Sequence, residues 1–300
     1  MSSTTDIKEF DLPALHGAAN KASQKAQGRY LRLFKVNLGV LIFGTVCSSL
    51  AFLTNLTPTL AILSGLLFVT GLIISAAIGV KRYEKNWYGG RAIAESAKTL
   101  AWRYMTRAEP YVSTLTARQV DEKLAGDLRA VLSERTYLSG ALDAELSNSP
   151  QITERMRHIR SMTTADRKDS YLRDRIGDQR DWYGKEAKEN QDKESKWFVI
   201  IMLAQLLAAA SAFLFVRWPE SKLRFTGIFS VLATASIAYL QVKRHQELAQ
   251  AYNLAAQELG VIAVTADHIN TDEELSQFVA DAENAISREH TMWVARRDQP

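Results

Sequence analysis

Residues Val36–Val80 read VNLGVLIFGTVCSSLAFLTNLTPTLAILSGLLFVTGLIISAAIGV, and no charged side chain interrupts them. About 20 apolar residues cross the ~30 Å hydrocarbon core of a bilayer as one α-helix. Val36–Thr54 and Leu60–Val80 both approach that length, and the turn between them, Thr54–Thr59, carries Pro58. A second stretch, Trp197–Gln241, repeats the pattern as WFVIIMLAQLLAAASAFLFVRWPESKLRFTGIFSVLATASIAYLQ. Here Trp197–Val216 and Phe225–Gln241 flank a polar loop, Arg217–Arg224, with Pro219. Phe225–Gln241 is the shortest of the four and draws on its flanks to reach across. Two apolar hairpins, four spans in all, predict an all-α integral membrane protein.

The rest of the chain is charged and polar. Averages of 47% hydrophobic and 23% charged residues over 300 positions conceal this segregation, so composition alone would suggest an ordinary soluble protein. The net charge of +4 matters through its placement. Lys8, Lys21, Lys25, Arg29, Arg32 and Lys35 precede the first span, and Lys81, Arg82 and Lys85 follow the second. Lys193 and Lys196 precede the third span, and Lys243 and Arg244 follow the fourth. Positive flanks stay on the cytoplasmic side, which predicts cytoplasmic termini and a cytoplasmic central region. Arg217, Lys222 and Arg224 in the second loop oppose this but are outnumbered. Basic residues so placed serve topology and lipid headgroups rather than nucleic acid. Cys47 is the only cysteine, which excludes an intrachain disulfide and every cysteine-rich metal site. The first apolar run begins after a long polar segment, too late for a cleavable signal peptide.

The two hairpins belong to a duplication. Val80-Lys81-Arg82 leaves the first hairpin as Val242-Lys243-Arg244 leaves the second, and Lys21–Phe34 leads in much as Lys185–Phe198 does. The units are residues 1–145 and 146–300, each a cytosolic helix, a membrane hairpin and a further cytosolic helix; both enter from the same side, as parallel repeats. The polar segments have helical patterning. Leu15–Phe34 runs into the first span, Tyr83–Arg107 extends the second until Pro110, and Gln246–His268 continues the fourth. Thr116–Ser133 places Val120, Leu124, Leu128 and Leu132 on one stripe. Thr164–Lys196 is one long charged helix with the i, i+4 pairs Asp169/Arg173 and Asp181/Lys185. Tyr137–Pro150 marks the boundary between units. A final helix, Asp272–Ala295, starts from an Asn270 or Thr271 cap with acids in its first turn.

Tyr171-Leu172-Arg173-Asp174-Arg175-Ile176, then Asp181-Trp182-Tyr183, Lys185, Ala187 and Asn190 before a membrane hairpin, resembles the SLATT family. These are two-helix membrane effector domains associated with SMODS nucleotidyltransferases and SLOG nucleotide sensors. The segment from Tyr252 to Leu259 and the tail Phe278-Val279…Glu283…Glu289…Trp293 are similar to the family's C-terminal part. Trp102-Arg103-Tyr104 and Pro110-Tyr111 look like a second SLATT subtype fused to the first. The resemblance implies an effector of a bacterial anti-phage conflict system that breaches the inner membrane on a nucleotide signal. It carries over no catalytic residue and no cofactor.

Residue chemistry agrees that an enzyme is not expected. His16, His158, His245, His268 and His290 are scattered without metal-ligand spacing, Gly89-Gly90 is too short for a phosphate loop, and no nucleophile motif is present. In the spans, Asn37, Gly44, Thr45 and Ser48 share a face, as do Ser64, Gly71 and Ser75, and Ser230, Thr234 and Gln241; Gln205 lies beside Ala208, Ala209 and Ala212. Such faces either pack helices together or line a pore once several copies assemble. No ionisable residue falls within a span, against an ion-coupled transporter but compatible with a pore gated by dewetting. Arg103 and Arg107 near Trp102, and Arg173, Arg175 and Arg180 near Tyr171 and Trp182, are candidate contacts for a cyclic nucleotide messenger or a nucleotide-sensing partner protein; they also fit solvated helix faces. Four spans hardly enclose a water path alone, so the pore reading requires a homo-oligomer in the lipid bilayer. The rival is a membrane-anchored receptor or scaffold with no conducting state.

Overall fold

Backbone amides in an apolar run are satisfied within the run itself by an α-helix. In the computed structural model all regular structure among the described residues is helical. The structure describes residues 7–51, 57–142, 148–218 and 225–295, with side chains to Ser287. Phe52–Leu56 of the first turn, Pro219–Arg224 of the second loop, Asp143–Ser147 of the unit boundary, and the side chains of Glu289, His290 and Trp293 lie outside the described residues.

The helices are α1 (Ala14–Ala51), α2 (Thr57–Lys81), α3 (Tyr83–Thr106), α4 (Ala117–Ser133), α5 (Glu154–Ser161), α6 (Thr164–Tyr171), α7 (Asp178–Arg217), α8 (Thr226–Lys243), α9 (His245–Val264) and α10 (Asp272–Ala295). Among the described residues three stretches are long and apolar enough to cross a membrane: α1, the run from α2 into α3, and the run from α6 into α7. The fourth apolar helix, α8, has 18 residues, about 27 Å at 1.5 Å per residue.

Local chemistry sets the helix ends. Thr116 and Gln119 form a reciprocal capping box at α4. Thr153 and Thr163 cap α5 and α6. Thr271 Oγ1 accepts from Glu274 N while the Glu274 carboxylate accepts from the backbone of Asn270 and Thr271, which selects Thr271 as the α10 cap. Two expected continuities are broken. The second and fourth spans do not run on: Arg82 (φ 44°) separates α2 from α3, and Arg244 (φ 48°) separates α8 from α9. Both are the third residue of the duplicated Val-Lys-Arg. The charged helix from Thr164 runs on as expected but through a π-helical turn, Leu172–Gly177, and α3 stops at Thr106, before Pro110, with Arg107 at φ 59°.

The chain divides into two compact units. One, here the polar unit, takes the residues up to Gln27, Glu84–Ala187 and those from Gln250 onward; the other, the apolar unit, is Gly28–Tyr83 and Lys188–Ala249. Each sequence repeat therefore contributes to both. In the polar unit, Ala18, Ala19, Ala22 and Ala26 of α1 are buried, as are Ala94, Ala97 and Ala101 of α3. The approach of α1 to α3 is close at Gly90, where an added Cβ would lie 3.0 Å from the Ala19 carbonyl oxygen. Val120, Leu124 and Leu128 of α4 are buried as their spacing predicts. The core continues through Met156, Ile159, Tyr171, Leu259, Leu275 and Val279.

Candidate functional site

In the apolar unit the first hairpin uses its polar residues on itself. Asn37 Nδ2 donates to Ser75 Oγ at 2.9 Å, and Ser64 Oγ donates to the Gly44 carbonyl at 2.9 Å. Partners farther along α1 lie nearer the start of α2, the signature of an antiparallel pair. At Gly71 a Cβ would sit 3.0 Å from Leu41 and 3.3 Å from Asn37 Oδ1, so the missing side chain lets the helices close. Thr45 Oγ1 donates back to the Leu41 carbonyl, Ser48 is half-buried, and Cys47 is buried.

The second hairpin pairs through different residues. Thr226 Oγ1 donates to Ser211 Oγ at 3.3 Å, and the Trp197 and Tyr239 rings lie 4.7 Å apart. His245 Nδ1 meets Asn190 Oδ1 at 2.6 Å; because that oxygen accepts, the imidazole nitrogen carries the proton. Burial first, then Lys243 and Lys193, push His245 down to about 4, so it is neutral. Ile201, Ala204, Ala233 and Ser236 fill the contact. Gln205, Ser230, Thr234 and Gln241 are not in it: all four are exposed.

The polar unit distributes the candidate arginines among structural tasks. Arg175, in the π-helical turn, is fully buried against fully buried Glu283 of α10, with Nε–Oε1 and Nη2–Oε2 both 2.8 Å. Tyr171 and Thr99 also donate to that carboxylate. Burial opposes the Arg175 charge, but Glu283 more than offsets it and raises the pKa; burial, then Glu283, raise the Tyr171 phenol well above its ordinary value. Arg103 donates to Asn284 and Arg107 to the Arg160 carbonyl. Arg173 pairs with Asp174, and Arg180 lies 3.5 Å from Asp181. These residues are therefore dispersed over several contacts.

Only Trp182 of that set lines the cleft of the polar unit, a partly open space of about 580 Å³ walled by α1, α3 and the start of α7. His16, Asn20 and Gln24 face it from α1, and Trp87, Arg91 and Lys98 from α3. The Arg91 guanidinium lies 5.8 Å over the Trp182 ring, which packs edge-on against Tyr252. Burial lowers the Lys98 ammonium, with Arg175 adding to it and Glu95 opposing. Burial likewise lowers His16, whose Nδ1–H donates to the Ala94 carbonyl. Cations, an indole face and side-chain amides suit a planar, polar small molecule, with Glu95 and Asp178 in the same walls balancing Arg91 and Lys98. A signal for this wall was present in the sequence: Trp87, Arg91 and Lys98, like His16, Asn20 and Gln27, recur with the helical period. Among the described residues no His, Cys, Asp or Glu group could hold a metal.

The family model for SMODS and SLOG-associating 2TM effector domain 3 matches residues 13–168, and that for SMODS and SLOG-associating 2TM effector domain 1 matches residues 171–293. No curated protein and no solved structure matches the chain.

Proposed function

Since the chain belongs to the SLATT family, with its type 3 and type 1 domains in tandem, we propose that it is an inner-membrane effector of a bacterial anti-phage system. In this reading α1, α2, α7 and α8 cross the membrane as two hairpins with both termini cytoplasmic. Several copies assemble around a pore, and a nucleotide signal received by the polar unit, directly or through a partner, opens it. The chain carries out no catalysis.

The observation that supports this most is the length of α1 and α7. Each is a single helix, of 38 and 40 residues, that begins in the polar unit and ends in the apolar one. A ligand that reorients the start of either helix reorients its membrane end, a shift between discrete packings of the kind that switches use. The cleft supplies a place for such a ligand, since its walls include the first turns of both helices.

Ion flux through proteoliposomes holding the purified chain, scanned against cyclic di- and oligonucleotides, tests the reading. Flux controlled by one nucleotide supports it in full, and constitutive flux shifts the signal to a partner protein. A correctly inserted oligomer that never conducts leaves a membrane-anchored receptor.

A further inference from the structure

Both hairpins bond hydroxyls across the pair, but they place their amide side chains differently. In α1–α2 the amide and hydroxyls turn inward and bond across the pair. In α7–α8 Ser211 and Thr226 meet across the pair, whereas Gln205, Ser230 and Thr234 stand outside it. Gln205 is exposed near the middle of the apolar stretch of α7 and makes no hydrogen bond among the described residues. Lipid offers an amide no donor or acceptor, and an unsatisfied polar group in hydrocarbon costs several kcal/mol.

The helix register shows that these residues form one surface. The pairs Ser211–Thr226, Trp197–Tyr239 and Asn190–His245 hold a constant antiparallel alignment, which sets Gln205 level with Ser230. At 3.6 residues per turn, Ser230, Thr234 and Gln241 lie within about 40° of each other on α8. They sit about a quarter-turn from the buried Ala233–Ser236 line, and Gln205 sits a quarter-turn from the buried Ala204–Ser211 line. The helices run in opposite directions, so a quarter-turn toward rising residue numbers on each arrives on the same side of the hairpin. Exposed Ala209 and Ala212 flank Gln205 there. The other side of α7 carries Leu203, Leu207 and Leu214, also exposed. Midway along the span one side is thus polar and small, with exposed Phe198 and Val216 toward its ends, and the other is leucine-rich. Lys35 of α1 reaches the Tyr239 ring at 5.7 Å, half a turn from Ser230, which places the basic end of the first hairpin away from the polar side.

We propose that the face bearing Gln205, Ser230, Thr234 and Gln241 lines the water path enclosed by copies of this chain, and that α1–α2 is a brace outside it. This rests on the oligomeric pore reading and assigns the lumen to one hairpin. Gln205 contributes a ring of amides midway along the path, small neighbours leave room for water, and the leucines meet lipid.

Cys47, sole and buried, makes the test clean. In a Cys47→Ser background, Gln205→Cys, Ser230→Cys and Thr234→Cys are compared with Leu203→Cys, Leu214→Cys and Ser48→Cys in conducting proteoliposomes. A cationic methanethiosulfonate reagent is expected to abolish flux in the first three and leave the others unchanged. If Gln205→Cys fails to insert, Ala209→Cys reads the same face. Block at Ser48→Cys or Leu203→Cys, or insensitivity at the first three in a chain that conducts, overturns the assignment alone. A wild-type chain that never conducts removes the pore reading and the assignment together.

Discussion

Arg175 and Glu283 are 108 residues apart and fully buried in one bidentate pair. Removing one partner leaves the other charge stranded, a loss of about 3–5 kcal/mol, whereas replacing both by apolar groups of similar volume is often mild. Arg175→Ala and Glu283→Ala should therefore each lower the melting temperature in detergent sharply, and Arg175→Met/Glu283→Leu should recover most of the loss. Singles that cost no more than a surface substitution would contradict the buried pair. The sequence offers Arg173, Arg175 and Arg180 as ligand cations because charge on a helix is visible and the carboxylate packed across from it is not. His245 gives a second residue-scale prediction. Its pKa in the folded chain is pushed down to about 4, first by burial and then by Lys243 and Lys193, whereas the unfolded imidazole titrates near 6.5. The unfolded chain thus binds the extra proton between those values, and stability falls as pH drops from about 6.5 toward 4. His245→Gln should flatten the melting temperature against pH across that window; His16, whose pKa burial lowers, keeps part of the slope, and Asp272 and Glu274, held below the ordinary carboxylate range, add to it at the acid end.

At the scale of elements, helix positions follow from hydrophobic period and capping residues, and their interruptions do not. Asp272–Ala295 and the α4 stripe are readable because local chemistry fixes them: a threonine cap, first-turn acids, apolar residues every fourth position. The breaks at Arg82 and Arg244 have no such signature, since arginine shows no preference for the left-handed region and tertiary packing imposes it. The duplicated Val-Lys-Arg was visible as a repeat, but its shared backbone geometry was not. The π-helical turn is similar: an inserted residue in a continuous charged pattern leaves no mark on composition. Gly90 is a test of how close elements lie. In an isolated helix Gly→Ala gains about 1 kcal/mol. Here the new Cβ would meet the Ala19 carbonyl oxygen at 3.0 Å and Ser23 at 3.1 Å, both on a helix held by alanines and by the Ser23 bond to the Trp87 carbonyl. Packing should reverse the sign, so Gly90→Ala melts lower than the parent. At Gly126, where nothing lies within 4 Å, the same substitution should melt higher.

Across the whole molecule, the duplication in sequence and the division in space do not coincide. Thr99, from the first repeat, joins Tyr171, Arg175 and Glu283 of the second around one carboxylate, and both repeats send a hairpin to the apolar unit. Periodicity and charge placement reveal each repeat and each wall of the cleft one helix at a time, but neither reports which helices meet, which is why the cleft as a whole was not legible. In the proposed function the helices that run from one unit into the other carry the signal. Leading into the hairpins, α1 and α7 are unbroken, while leading out, Arg82 and Arg244 already interrupt the helix. A rigid rod transmits rotation and a joint dissipates it, so the proposed signal should travel through α1 and α7. Proline inside a helix removes one hydrogen bond and clashes with the preceding turn, at about 3 kcal/mol or more. Lys188 is exposed and lies where α7 passes from the polar to the apolar unit. Lys188→Pro should leave the protein membrane-inserted and able to bind its activator while abolishing triggered flux. Arg244→Gly, which loosens a joint that is already bent, should leave triggered flux close to wild type. Lys188→Ala controls for the lost charge. Equal loss in Lys188→Pro and Arg244→Gly would mean that the outbound helices carry the signal as well, and retention in both would mean that it bypasses α7.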